Sequence, residues 1–146
     1  VVPLDGNILP ITQVPDQVFS QKLVGGGFAI HPVNGEIISP VGGIVTSLPS
    51  SKHAIGITSD SGMEVLVHFG IDTVKLQGEG FTALVKQDDR VKAGQPVIQV
   101  AFDKVKEQVP SVITPVIFTN LPEGKSISIV KSGTVKRGEG APVCLV

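Results

Sequence analysis

The chain has 146 residues, of which 41% are hydrophobic and 17% charged. That length fits one domain over residues 1–146, and the composition supplies a real core and too little charge for a disordered chain. The net charge of −1 speaks against a broad polyanion-binding surface, and so against nucleic acid as a partner.

Only one cysteine is present, Cys144. It excludes an internal disulfide and reads as a buried small hydrophobe. No signal peptide is evident, and no apolar run approaches the roughly 20 residues of a membrane helix. The chain opens at Val1 with no Met, which reads as processing or as excision from a longer chain. A cytoplasmic location is the simple expectation, with tethering to a larger membrane protein as its variant.

In chain order, Gly25-Gly26-Gly27 lacks the Lys-Ser/Thr of a phosphate loop and reads as a flexible turn. Asn34-Gly35 separates residues 28–32 from residues 36–39, the strongest short-range hairpin signal. Val/Ile/Thr-rich runs follow at residues 43–48, 53–58 and 63–69, with Ser61-Gly62 as a second hairpin turn. Further runs lie at residues 96–102 and 112–119, and residues 103–108 read as one or two helical turns ended by Pro110. Lys136-Arg137 reads as solvated loop charge. The expected fold is all-β, an antiparallel β sandwich or flattened barrel with at most short helical turns.

Three internal similarities point to a duplication. The two hairpin signals align Phe28 with Ile55, Ile30 with Ile57 and Gly35 with Gly62. Pro3-Leu4-Asp5-Gly6 aligns with Pro40-Val41-Gly42-Gly43, with Ile8 matching Val45. Val91-Lys92-Ala93-Gly94 aligns with Val135-Lys136-Arg137-Gly138. The Val-Lys-x-Gly pattern also resembles biotinyl and lipoyl carrier domains. The lysine they modify would have only Asp103-Lys104 as a counterpart here, and that pair falls in the helical segment.

The three histidines are His31, His53 and His68. In a strand through residues 64–69, Val65, Val67 and Phe69 share a core face, while Leu66 and His68 point outward. Pairing the strands about Ser61-Gly62, with positions summing to about 123, sets Ile55 opposite His68 and brings His53 into the same patch. Two adjacent imidazoles suit phosphoryl transfer through a phosphohistidine, metal binding with a carboxylate such as Asp72, or acid–base catalysis. Two half-buried structural histidines are the plainer option. His68-x-x-x-Asp72 matches part of a zinc-peptidase ligand set, but the His-x-His segment those enzymes need is missing. There is no Gly-x-Ser-x-Gly elbow and no Walker loop. His31 reads as surface or turn filler.

The run His68-Phe69-Gly70-Ile71-Asp72-Thr73-Val74-Lys75-Leu76-Gln77-Gly78-Glu79-Gly80-Phe81 resembles the phosphorylation-site signature of glucose-family enzyme IIA of the bacterial phosphoenolpyruvate:sugar phosphotransferase system. Val14-Pro15-Asp16-Gln17-Val18-Phe19, Lys22-Leu23-Val24-Gly25, Ser39-Pro40-Val41, Lys52-His53-Ala54 and Thr114-Pro115-Val116 extend the resemblance over roughly residues 3–145. The resemblance implies an antiparallel β sandwich. It implies that His68 accepts phosphate at Nε2 from the phosphocarrier protein HPr and passes it to a cysteine of a IIB domain of a sugar permease. It makes His53 the stabiliser of the phosphoryl group and Ser51, often Thr in relatives, the hydroxyl that orients His53. Val18, Phe19, Val24, Leu66 and Val74 align with an apolar docking face, and Asp16 and Asp72 with carboxylates that attract the donor's arginine. Pro49 departs from a bulky apolar residue and alters the rim. No cofactor and no intrinsic metal are implied, although His53 and His68 could hold zinc together with a partner's carboxylate. The isolated domain is expected to be a monomer. The alternative is a free-standing regulatory binding module that controls permeases or kinases by its phosphorylation state.

Overall fold

The computed structural model describes residues 1–21 and 25–145. Among them the strands are β1 (Gly6–Pro10), β2 (Gly26–Pro32), β3 (Glu36–Ile38), β4 (Gly43–Ser47), β5 (Ala54–Ser59), β6 (Glu64–His68), β7 (Phe81–Ala83), β8 (Arg90–Val91), β9 (Pro96–Val100), β10 (Thr114–Phe118), β11 (Ile127–Ile129), β12 (Gly133–Val135) and β13 (Val143–Leu145). Two four-residue helical turns, α1 (Gln17–Ser20) and α2 (Phe102–Val105), and 3-10 turns at Ile11–Gln13 and Thr73–Leu76 complete the elements. No helix among the described residues is long and apolar enough to cross a membrane.

Eight strands form one antiparallel sheet in the order β12-β1-β2-β10-β6-β5-β4-β8; β3-β9-β7 and β11-β13 form smaller sheets. The large sheet stays open, since β12 and β8 end it rather than pair with each other. The flattened-barrel option therefore gives way to layered sheets. Their shared core draws Ile30, Val45, Ile55, Ile57, Val65, Val67 and Val116 from the large sheet and Ile37, Phe81 and Ile98 from the three-stranded one. These residues alternate along their strands, as a sheet with one buried face requires.

The duplication expected from the sequence is written into the strand pairing. Gly6 lies between Pro32 and Val135, and Gly43 lies between Ser59 and Val91. Ile8 pairs with Ile30, and Val45 pairs with Ile57. The order of the large sheet thus reads the same from either end, with the Val67–Val116 pair at its centre. The matched glycines have a common cause. A Cβ on Gly6 would stand 2.2 Å from the His31 carbonyl oxygen, and one on Gly43 would stand 2.0 Å from that of Thr58. Both distances are far inside van der Waals contact, so neighbouring backbone excludes any side chain there.

Other sequence expectations are corrected. Asn34-Gly35 does not close a hairpin: β2 belongs to the large sheet and β3 pairs with β9 in the three-stranded one. The Asn34 side chain still makes the turn, accepting from the Glu36 N–H at 3.2 Å and donating to Asp5 at 2.8 Å. Gly26 and Gly27 are not a flexible turn but the start of β2, where a Cβ on Gly27 would lie 2.0 Å from the Val116 carbonyl oxygen. Cys144 is exposed, not buried.

Arg137 is not a loose surface charge. Its backbone N–H and Nη1 both donate to the Asp5 carboxylate at 2.7 Å, and Nη2 pairs with Glu36 at 2.6 Å. This bidentate clasp ties the loop after β12 to the start of β1 and to the inter-sheet crossing. Arg137→Ala is expected to lower the unfolding free energy by about 1–2 kcal/mol, discounted for partial exposure, as read from a urea midpoint.

Candidate functional site

The site forms where β5 and β6 end against the turn that follows β6. Val65 and Val67 are buried, while Leu66 and His68 lie half-buried on the opposite face, as the alternation predicts. That outer face carries a second, smaller apolar cluster. Ala29 and Ile117 of the sheet are covered there by Ile11, Val14, Phe19 and Ile71, with Leu66 packed against them. His68 therefore emerges beside an apolar floor rather than into open water.

The pairing register differs by one residue from the expectation. Ala54, not Ile55, stands opposite His68, and Ile55 faces Val67. The cause is the turn: Asp60-Ser61-Gly62 form a three-residue loop closed by the Ser59 N–H donating to Met63 O at 2.8 Å, with Gly62 at φ +94°. His53 still reaches His68, for another reason. It occupies a bend one residue before β5, so the strand alternation that would send it to the core does not bind it. Its carbonyl accepts from the Phe69 N–H at 2.8 Å. The two imidazoles meet edge to face with centroids 4.8 Å apart, and the Phe19 ring lies 5.1 Å from His68 on another side.

Each ring has one nitrogen committed. His68 Nδ1 lies 2.9 Å from the Gly70 carbonyl oxygen. A carbonyl can only accept, so Nδ1 carries the proton and Nε2 keeps its lone pair. Ser51 Oγ lies 2.5 Å from His53 Nδ1. With the hydroxyl donating, the His53 proton sits on Nε2. Gly70 is a residue of the site to which sequence reading gave no role of its own. It has φ +70° and turns its carbonyl back onto the ring two residues earlier. Thr73 buttresses the same turn, its buried hydroxyl donating to Phe69 O at 2.7 Å. The available signal was a glycine two positions after the histidine, where only a left-handed residue folds the chain back.

Electrostatics keep both rings neutral at pH 7. Burial, helped by the nearby His68, lowers the His53 pKa from 6.5 to about 4. Burial also lowers that of His68, opposed by the hydrogen bonds its ring donates to the backbone of Gly70 and of His68 itself and by the charges of Asp16 and Asp72. Those two carboxylates are thus close enough to act on His68. Asp72 is also 3.7 Å from Lys75.

These shifts make stability depend on pH. The unfolded chain takes up the His53 proton near pH 6.5, the folded chain only near pH 4. The contribution is complete above about pH 6.5 and is lost as the pH falls towards 4, on the order of 2–3 kcal/mol. The urea midpoint should therefore fall between pH 7 and pH 4.5, and fall less in His53→Gln. An equal fall in both proteins would contradict the assignment.

Of the expected docking residues, Val74 is 54% exposed and Leu66 half-buried, while Phe19 is buried against His68. Val24 lies outside the described residues, and so does the Val18 side chain. His31 is exposed on β2. Pro49 accepts from the Lys52 N–H at 2.9 Å. His53 and His68 could lend two nitrogens to a metal ion. Among the described residues no group of three or more His, Cys, Asp or Glu is placed to complete such a site.

A neutral imidazole with its outer nitrogen free, a second imidazole against it and a water-poor apolar surround are the equipment of a phosphocarrier protein. The family follows from comparison with known sequences. Residues 1–123 match the model of the phosphoenolpyruvate-dependent sugar phosphotransferase system EIIA 1 family, and the chain belongs to that family as a phosphotransferase component. It is 45% identical over 137 residues to the glucose-specific EIICBA component of Staphylococcus carnosus, covering 94% of this chain and 20% of that protein. It is 44% identical to the glucose-specific EIIA component of Staphylococcus aureus, covering 94% of this chain and 82% of the relative. Its fold matches glucose permease IIA from Mycoplasma capricolum with a TM-score of 0.91 and 42% identity, over 97% of this chain and 92% of the other.

Proposed function

We propose that His68 is the phosphoryl acceptor of this carrier. Its Nε2 lone pair attacks the phosphorus of the phosphohistidine on HPr, the donor N–P bond breaks, and a new N–P bond forms on His68. A thiolate of a IIB domain then attacks the phosphorus, and the bonding pair returns to Nε2. The observation that carries this reading is the Nδ1–H···O=C bond to Gly70 at 2.9 Å, which leaves Nε2 as the nucleophile in a fixed ring.

His53 supports the transferring group through its Nε2–H, and Ser51 holds that tautomer. Phe19, Leu66 and Val74 exclude water from the docked pair, since water would hydrolyse the adduct. Val18 and Val24 join this face by their resemblance alone. Asp16 and Asp72 attract the cationic group of the donor. Residues 1–146 act as one IIA unit on the cytoplasmic side, free-standing or fused to IIB and IIC domains as the name of the Staphylococcus carnosus relative indicates. Glucose is the sugar whose uptake it drives, a choice that rests on the names of the relatives.

The test is incubation with phosphoenolpyruvate, enzyme I and HPr. An acid-labile, base-stable phosphate that peptide mapping places on His68 is the expected result. An acid-stable label, or one on another residue, would overturn the proposal.

A further inference from the structure

The backbone between Ser51 and His53 has a shape that the phosphoryl chemistry alone does not account for. Among the described residues, four non-glycine positions have φ from +53° to +76°: Lys52, Asp72, Gln77 and Asp88. Lys52, at φ +56°, separates the two members of the Ser51–His53 hydrogen bond. A residue with a Cβ holds this conformation only where its surroundings impose it. Here the Lys52 N–H donates to Pro49 O at 2.9 Å. The backbone just before it lies against the loop at Gly78, where a Cβ would stand 3.4 Å from the Ser50 carbonyl oxygen.

The consequence is geometric. Were Lys52 extended, Ser51 and His53 would be separated by roughly 6.6 Å along the chain, with parallel side chains. The left-handed residue shortens that span and turns the two side chains together. Their atoms then meet at 2.5 Å, on a ring only 8% exposed.

We propose that Lys52 is a positioning residue: its left-handed backbone, rather than its ammonium group, places the Ser51 hydroxyl on Nδ1 of His53. It thereby sets the tautomer that onward phosphoryl transfer uses. The positioning stands on this geometry. The link to transfer rests on the function proposed above, and two separate readouts tell them apart.

The experiment compares Lys52→Gly, Lys52→Asn, Lys52→Ala, Lys52→Val and Ser51→Ala by 15N NMR of the histidine rings and by single-turnover transfer to a IIB domain. Glycine and asparagine accept the left-handed region, alanine less readily, and a β-branched valine resists it. Lys52→Gly and Lys52→Asn should keep the wild-type His53 nitrogen shifts and transfer within about threefold. Lys52→Val should show a mixed tautomer and about tenfold slower onward transfer, with His68 labelling from HPr unchanged. Ser51→Ala should reproduce that loss, and adding it to Lys52→Val should cost nothing more. If Lys52→Val does not fold, Lys52→Ala against Lys52→Gly makes the same comparison.

Wild-type shifts in Lys52→Val, or in Lys52→Ala where that variant stands in, would overturn the proposal. So would equal damage in Lys52→Gly, which would assign the effect to the side chain. Altered shifts with undiminished transfer would support the positioning role and overturn its link to transfer.

Discussion

His68→Ala is expected to abolish labelling from phospho-HPr, a loss of at least about 10³-fold that leaves only background. No other imidazole in the site offers a lone pair. His53 is the nearest alternative, but its Nδ1 is occupied by Ser51 and its ring is buried. With the hydroxyl donating, its Nε2 bears a proton and has no lone pair to give. His31 is exposed on a different strand, so His31→Ala serves as a control with unchanged labelling. The substitution also leaves the Gly70 carbonyl without its ring donor and opens space beside Phe19. A modest fall in stability, about 1–2 kcal/mol, should accompany the loss of function. Thermal unfolding separates the two effects. Label appearing on His53 in this variant would sink the tautomer argument.

His53→Gln should behave differently: His68 still becomes labelled, but onward transfer to a IIB domain falls by about 10²–10⁴-fold. In the proposed mechanism, accepting phosphate uses the lone pair of His68, which this substitution leaves in place, since the Gly70 contact lies on the other partner of the pair. Passing it on requires a second anion, the attacking thiolate, to approach a phosphoryl group that is already charged. The His53 ring, 4.8 Å from His68, is placed to donate to an equatorial oxygen as that charge develops. A glutamine amide can donate too, but it lacks the planar ring that Ser51 aligns. Rapid-quench measurement of each half-reaction checks this. Equal losses in both would make His53 a general structural support, and no loss in either would remove it from the mechanism.

The sequence by itself determined which residues face inward and which outward. Val65 and Val67 alternate with Leu66 and His68, and an antiparallel strand with one buried face must place them so. It also determined the duplication, because Gly6 and Gly43 answer the same backbone clash at equivalent places in the sheet. The long run after His68 was legible because its residues are contiguous in sequence.

Tertiary structure decided what depends on distant partners or on single backbone torsions. Asn34-Gly35 has the chemistry of a turn in either role. Only the pairing of β3 with β9 shows that the chain changes sheets there. The β5–β6 register moved by one because a three-residue loop, not a two-residue one, closes the hairpin. Arg137 meets Asp5 across 132 positions of sequence, a separation that no periodicity reaches. The contact between His53 and His68 follows the same rule. Strand register alone would have turned His53 towards the core, and the bend before β5, which follows the left-handed Lys52, brings its ring against that of His68.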